Sequence, residues 1–210
     1  MDANFNVLLE EIRGGSVEIL KLRNKNNSDD EVRALSIALM NKTNKVISLD
    51  LSWSNLRDGG IIALSTVLMN ENNKVTRLDL YHNNIGDEKA RCLSTALVNV
   101  NNKLTTFDLW YNKIGDNGAS ALSTALMNKN NKVIELNLWH NNIGDDGVKS
   151  LSIALMNENN KLTTLNLEWN RIGDEGVRHL STALMNKNNK VIRLNLKSNN
   201  IRTPGLAALV

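Results

Sequence analysis

Cysteine and proline occur once each in this 210-residue chain, and rings are scarce: four Trp, two Tyr and two Phe. A lone thiol, Cys92, excludes any disulfide framework within the chain. Eight rings cannot fill a core of this size, so the 32 leucines must do it. An excess of one charge is missing as well. With 25 Lys+Arg against 22 Asp+Glu the net is +3, too small for nucleic-acid binding by bulk electrostatics, and no block of like charges suggests a basic tail. No apolar run approaches the roughly 18 residues that span a membrane. The segment Met1 to Leu9 carries Asp2 and has neither the basic start nor the apolar run of a secretory signal. The expectation is a soluble, cytoplasmic chain folded in a reducing compartment.

Asparagine, by contrast, fills 35 positions, and the leucines recur at fixed spacing, which excludes a disordered polar tract. Leu20, Leu49, Leu78, Phe107, Leu136, Leu165 and Leu194 stand 29 residues apart every time. The unit from Leu165 reads LNLEWNRIGDEGVRHLSTALMNKNNKVIR, and that from Leu136 reads LNLWHNNIGDDGVKSLSIALMNENNKLTT. Six full copies and an incomplete seventh run to Val210 without a slip, so no linker or second domain interrupts them. The expected organisation is an N-terminal helical cap over 1–19, with Phe5, Leu8, Leu9 and Ile12 on one face, and repeats over 20–210. Lys25 and Asn27 depart from the pattern, as suits a terminal unit. After Leu206 and Leu209 no polar cap is visible, so the chain is expected to continue or that edge to be covered.

Each unit has two halves of different period. V-x-x-L-x-L alternates apolar and polar, the signature of a strand with one buried face. Asn83, Asn112, Asn141, Asn170 and Asn199 then hold one fixed corner, where an inward amide can both donate to and accept from the backbone of adjacent units. The second half is helical: Val177, Leu180 and Leu184 share a face, and Asp58, Asp87, Asp116, Asp145 and Asp174 stand where an N-cap belongs. In the last unit Thr203 and Pro204 take that place. Strands stack about 4.8 Å apart and helices about 8–10 Å, so the stack must curve with its strands on the concave side.

The pattern L-x-L-x-x-N-x-I-G-D-x-G…L-S-x-A-L at 29 residues resembles the leucine-rich repeats of the ribonuclease-inhibitor type, over residues 20–210. The resemblance implies an α/β fold, a right-handed leucine-rich-repeat solenoid bent into a horseshoe arc, with a parallel sheet inside and helices outside. It also implies a non-enzymatic scaffold that binds another protein, one member being an inhibitor that plugs enzymes and others the sensor regions of innate immune receptors. A branch that activates the GTPase Ran supplies the alternative, and a carbohydrate-binding scaffold ranks below it. Heavy Asn and Lys use is common in chains from AT-rich genomes, and repeats like these also resemble those of bacterial effectors delivered into host cells.

Outward strand positions form columns on the concave face. One reads Asp50, Asp79, Asp108, Asn137, Asn166, Asn195; the next Ser52, Tyr81, Trp110, Trp139, Glu168, Lys197; the third Trp53, His82, Tyr111, His140, Trp169, Ser198. Every Trp and Tyr lies in the last two. Such side chains offer large contact area at low rotamer cost and dominate binding hot spots. Asp50, Asp79 and Asp108 with Glu135 and Glu168 make the centre acidic, while Lys21, Arg23, Arg193 and Lys197 make the ends basic, so a partner with a basic protruding surface, an enzyme among the candidates, would be steered to the centre. The same rings could instead stack on one another to stabilise the ladder. Lys45, Lys74, Lys103, Lys132, Lys161 and Lys190 follow the helices and suit their negative ends. His82 and His140, two units or about 10 Å apart, have no third ligand, so no metal is expected; no cofactor or catalytic group is expected either.

Overall fold

The computed structural model describes residues 3–23 and 28–207. The readings for Asp2, Lys25, Asn27, Leu209, Val210 and the side chain of Leu206 lie outside it. Helices and strands alternate along the chain: α1 (Ala3–Gly14), β1 (Ile19–Lys21), α2 (Asp29–Leu39), β2 (Ser48–Asp50), α3 (Asp58–Met69), β3 (Arg77–Asp79), α4 (Asp87–Leu97), β4 (Thr106–Asp108), α5 (Asp116–Leu126), β5 (Glu135–Asn137), α6 (Asp145–Leu155), β6 (Thr164–Asn166), α7 (Asp174–Leu184), β7 (Arg193–Asn195) and α8 (Thr203–Ala207). The strands form one parallel sheet in sequence order, each residue paired with the one 29 further on, as Leu49 with Leu78. This is the α/β solenoid expected from the period. No helix among the described residues is long and apolar enough to cross a membrane.

The core runs the length of the stack between sheet and helices. Its strand side is Leu49, Leu51, Leu78, Leu80 and their equivalents up to Leu165 and Leu167, and its helix side Leu64, Leu93, Leu122, Leu151 and Leu180, all essentially buried, while Leu194 and Leu196 of the last unit are half-buried. Phe107 occupies a leucine position and is the largest fully buried side chain. Phe5, Leu9 and Ile12 of α1 close one end against α2. Burial of each such side chain contributes about 1.5–3 kcal/mol, comparable to all the hydrogen bonds of a three-residue strand, and each unit buries several of them.

The corner asparagines bind units together. Asn112 shares its amide N–H groups among the carbonyls of Leu80, Leu109 and Trp110 at 3.0–3.1 Å. Its Oδ1 accepts from the N–H of Asn83 at 3.0 Å and of Ile85 at 2.9 Å. Asn83 repeats the arrangement, and Asn141 and Asn170 do so with one accepted N–H each, from Ile114 and Ile143. Two further asparagines per unit serve the turn after each helix. Asn73 donates to the carbonyl of Leu68 in the last turn of α3, and Asn72 reaches back to Met40 of the unit before.

The helix-start aspartates correct the sequence reading. The N-cap positions are Arg57, Gly86, Gly115, Gly144 and Gly173, with no side-chain cap, and each Asp is the first helical residue. Asp116 instead accepts from the N–H of Gly144 at 2.7 Å and of Gly147 at 2.9 Å, so it caps the helix of the following unit. Asp145 does the same for Gly173 and Gly176, and Asp174 for Arg202. A Cβ on Gly147 would stand 2.6 Å from that Asp116 oxygen, which explains the glycine two places after each such Asp. Thr203 likewise opens α8 rather than capping it. At α4 the glycine is Lys89, which donates to the carbonyl of Leu56 and faces Asp58 at 3.8 Å. A capping box of Ser28 with Glu31 starts α2, a signal the repeat alignment hid.

Candidate functional site

Beyond each three-residue strand the ladder continues into the turn, and that turn sets the rings. The N–H of Trp53 donates to the carbonyl of Tyr81 at 2.8 Å, that of His82 to Trp110, Tyr111 to Trp139, His140 to Glu168 and Trp169 to Lys197. The five residues that hold these bonds, Trp53, His82, Tyr111, His140 and Trp169, lie in the left-handed region, as does Ser198 of the last unit, with φ between 51° and 57°. Bulky side chains rarely occupy it, at a cost of roughly 1–2 kcal/mol each.

The rings form two parallel stacks. In one, Tyr81 lies on Trp110 with centroids 4.1 Å apart and Trp110 on Trp139 at 4.3 Å, the planes within 12° and 3°. In the other, Trp53, His82, Tyr111, His140 and Trp169 follow one another at 3.5, 4.7, 4.2 and 5.7 Å. Edge-on contacts of Tyr81 with Trp53, His82 and Tyr111 join the two. The outer stack is the more open, Trp53 being 45% and Trp169 54% exposed, whereas Trp110 and Trp139 are half-buried. The indole Nε1 of both Trp110 and Trp139 is buried with no hydrogen-bond partner among the described residues. His82 and His140 are parted by Tyr111, and no three His, Cys, Asp or Glu side chains converge among the described residues. A pocket of about 300 Å³ beside the outer stack is lined by His82, Tyr111, His140, Asn84, Asn142 and Lys113, of which the last three escaped the sequence reading.

The acidic column is less uniform than its sequence. Asp50 is not on the open surface: it is 6% exposed, takes the N–H and hydroxyl of Ser52, and pairs with Arg23. Burial pushes its carboxyl up, but Ser52 and Arg23 outweigh that and hold it below the ordinary value. Asp108 receives both carboxylate contacts from the Asn137 amide, at 3.1 and 3.2 Å. Glu168 accepts from Asn195 at 2.8 Å, and Glu135 has Arg193 within 3.9 Å. Among the described residues the carboxylate of Asp79 accepts one hydrogen bond, from the N–H of Tyr81 at 3.0 Å. Burial raises the carboxyls of both Asp79 and Asp108, their neighbouring carboxylates adding to it.

On the opposite rim the lysine column serves the turns: Lys161 and Lys190 donate to the carbonyls of Asn131 and Asn160 of the preceding unit. Lys103 is pulled below its ordinary value by burial and then by Lys74 and Lys132.

The sequence matches the family described as Leucine Rich repeat at residues 44–65, 71–94, 100–123, 129–152, 158–181 and 187–210, more than half of the chain. No curated protein matches it. Among solved structures, the leiomodin-1 actin-binding site 2 is 16% identical over 79% of this chain and 79% of its own, with a TM-score of 0.42. The tropomodulin C-terminal domain of Caenorhabditis elegans is 14% identical over 87% and 92%, with a TM-score of 0.48.

Proposed function

The chain belongs to the leucine-rich repeat family, and from that premise we propose that it is a non-enzymatic module gripping a partner protein with its concave face. The contact residues in this reading are the two ring stacks, Tyr81, Trp110 and Trp139 beside Trp53, His82, Tyr111, His140 and Trp169, with Asp79, Asp108, Glu135 and Glu168 along one flank. One observation carries it: five successive ring-bearing side chains sit at positive φ. Asparagine tolerates that conformation far better and is abundant in this chain, so a turn selected for stability alone would use it. Two buried indole N–H groups without partners add a further cost that phenylalanine would avoid. Strain held on an open face, with unmet donors buried beneath it, supports a binding role.

Stacking also pre-organises the surface, so that few side chains need ordering when a partner arrives. A sugar reader is disfavoured because the inner rings, Trp110, His82, Tyr111 and His140, are stacked on both faces, whereas sugars lie on open ring faces. By resemblance to the ribonuclease-inhibitor type, occlusion of the partner's active site is the consequence we favour. Action in a cytosol, including a host's if the chain is an effector, belongs to the same reading and is open to a translocation assay.

Capture with wild type and with a Trp110→Ala/Trp139→Ala variant, followed by calorimetry on the partner recovered, tests the proposal. The expected result is a loss of about 2 kcal/mol or more in binding with the fold retained. Undiminished binding by the variant overturns it.

A further inference from the structure

Resting on that reading, we propose that the partner inserts an arginine side chain at Asp79, where its guanidinium pairs with the carboxylate and lies against Tyr81. Translation of one unit onto the next singles out this residue. Asp79, Asp108, Asn137, Asn166 and Asn195 occupy the same strand position, and in each case Oδ1 accepts the N–H two residues on: Tyr81, Trp110, Trp139, Glu168 and Lys197. Asparagine performs that backbone task three times over. A carboxylate at 79 is therefore not required by the fold, and it stands in register between two other acids, Asp50 and Asp108.

The other four acids of this face are answered from within the chain, by Arg23, Asn137, Arg193 and Asn195. Asp79 alone has no side-chain partner among the described residues. The reason is legible in the neighbouring column. Arg23 stands there in the first unit and reaches Asp50 of the next. One unit on, the equivalent residue is Ser52, whose hydroxyl turns back to Asp50 and is too short to reach Asp79. The column thus already shows how it takes a guanidinium, and omits one at this step. Tyr81 is stacked by Trp110 on one side; on the other, the preceding unit places only the small Ser52 in the same column, with Trp53 edge-on to the ring at 5.6 Å. A planar cation suits both neighbours, pairing with the carboxylate and packing on the ring, whereas an ammonium does only the first well.

The test uses N-acetyl-arginine amide, titrated into the full chain and followed by amide and indole shifts in heteronuclear NMR spectra. Saturable shifts at Tyr81 and its neighbours are expected. They should weaken at least about fivefold in Asp79→Asn, by less than about twofold in Asp108→Asn, and be weaker for N-acetyl-lysine amide. Asp79→Asn keeps the backbone bond, as Asn137 shows, so folding is not in question. Absence of saturable shifts, or equal affinity in Asp79→Asn, overturns the arginine assignment. If partner binding still depends on Trp110 and Trp139 in that event, only this inference falls and the ring-stack reading stands.

Discussion

Two asparagine-bearing columns run along the solenoid a few residues apart, and they behave differently. At the corner, residues 83, 112, 141, 170 and 199 are Asn, with Ser54 in their place one unit earlier; at the strand end, residues 50, 79 and 108 are Asp while 137, 166 and 195 are Asn. The corner side chain of Asn112 donates to three carbonyls and accepts from two N–H groups, which only a carboxamide can do, whereas Ser54 meets the smaller demand of an earlier unit by donating to the carbonyl of Leu22. The strand-end side chain need only accept, so Asp and Asn are equivalent for the backbone. Where the fold is indifferent, charge is free to serve something else.

The largest effect should come from breaking the first rule. Asn112→Asp leaves three carbonyls without their donor and buries a charge against them. It should destabilise by about 3 kcal/mol or more, read from urea unfolding. The second column gives a smaller penalty. Asn137→Asp removes the donor from Asp108 and opposes two carboxylates in register, for a loss of about 1–2 kcal/mol. In the reverse direction Asp79→Asn and Asp108→Asn should each stabilise the fold by a few tenths to about 1 kcal/mol at neutral pH, the scale of a relieved like-charge cross-strand pair.

The pH dependence sharpens the contrast further. Asp79 and Asp108 have folded values above their unfolded ones, so they favour the folded state when protonated and weaken it as pH rises through the carboxylate range. The gain from Asp79→Asn should therefore shrink as the pH falls below that range. Asp50 is held below its unfolded value, so its contribution is present above that value and is lost as pH falls through the folded one. Asp50→Asn should cost stability at neutral pH and little in acid. Thermal melts of the two variants between acid and neutral pH separate the cases; parallel profiles would contradict the assigned environments.

Much of this architecture was readable in advance, because it depends on contacts that repeat. A period of 29 residues names the stacking neighbour of every side chain, and alternation around Leu49 and Leu51 or Leu78 and Leu80 names the buried face. The inward corner asparagines, the open columns and the alternating helices and strands follow from that. What escaped are features set between units. Asp116 looked like the cap of its own helix because sequence rules see only the nearest helix start, yet its oxygen lies nearer the amides of Gly144 and Gly147. The columns named the rings but not the left-handed backbone of Trp53, His82 or Tyr111, which arises from ladder bonds to the next turn. The acidic stripe looked continuous, and became one unanswered carboxylate only when Arg23, Asn137, Arg193 and Asn195 were seen to reach across to their acids.

Fold class, repeat count and the side of the sheet that carries the rings were thus settled by composition and period, since a hydrophobic pattern repeated in strict register admits one way of stacking. Which helix each aspartate caps, how far each ring is buried and which acid is left unpaired were settled by distances between neighbouring units. Those distances depend on the closeness of the stack, a property no single unit possesses.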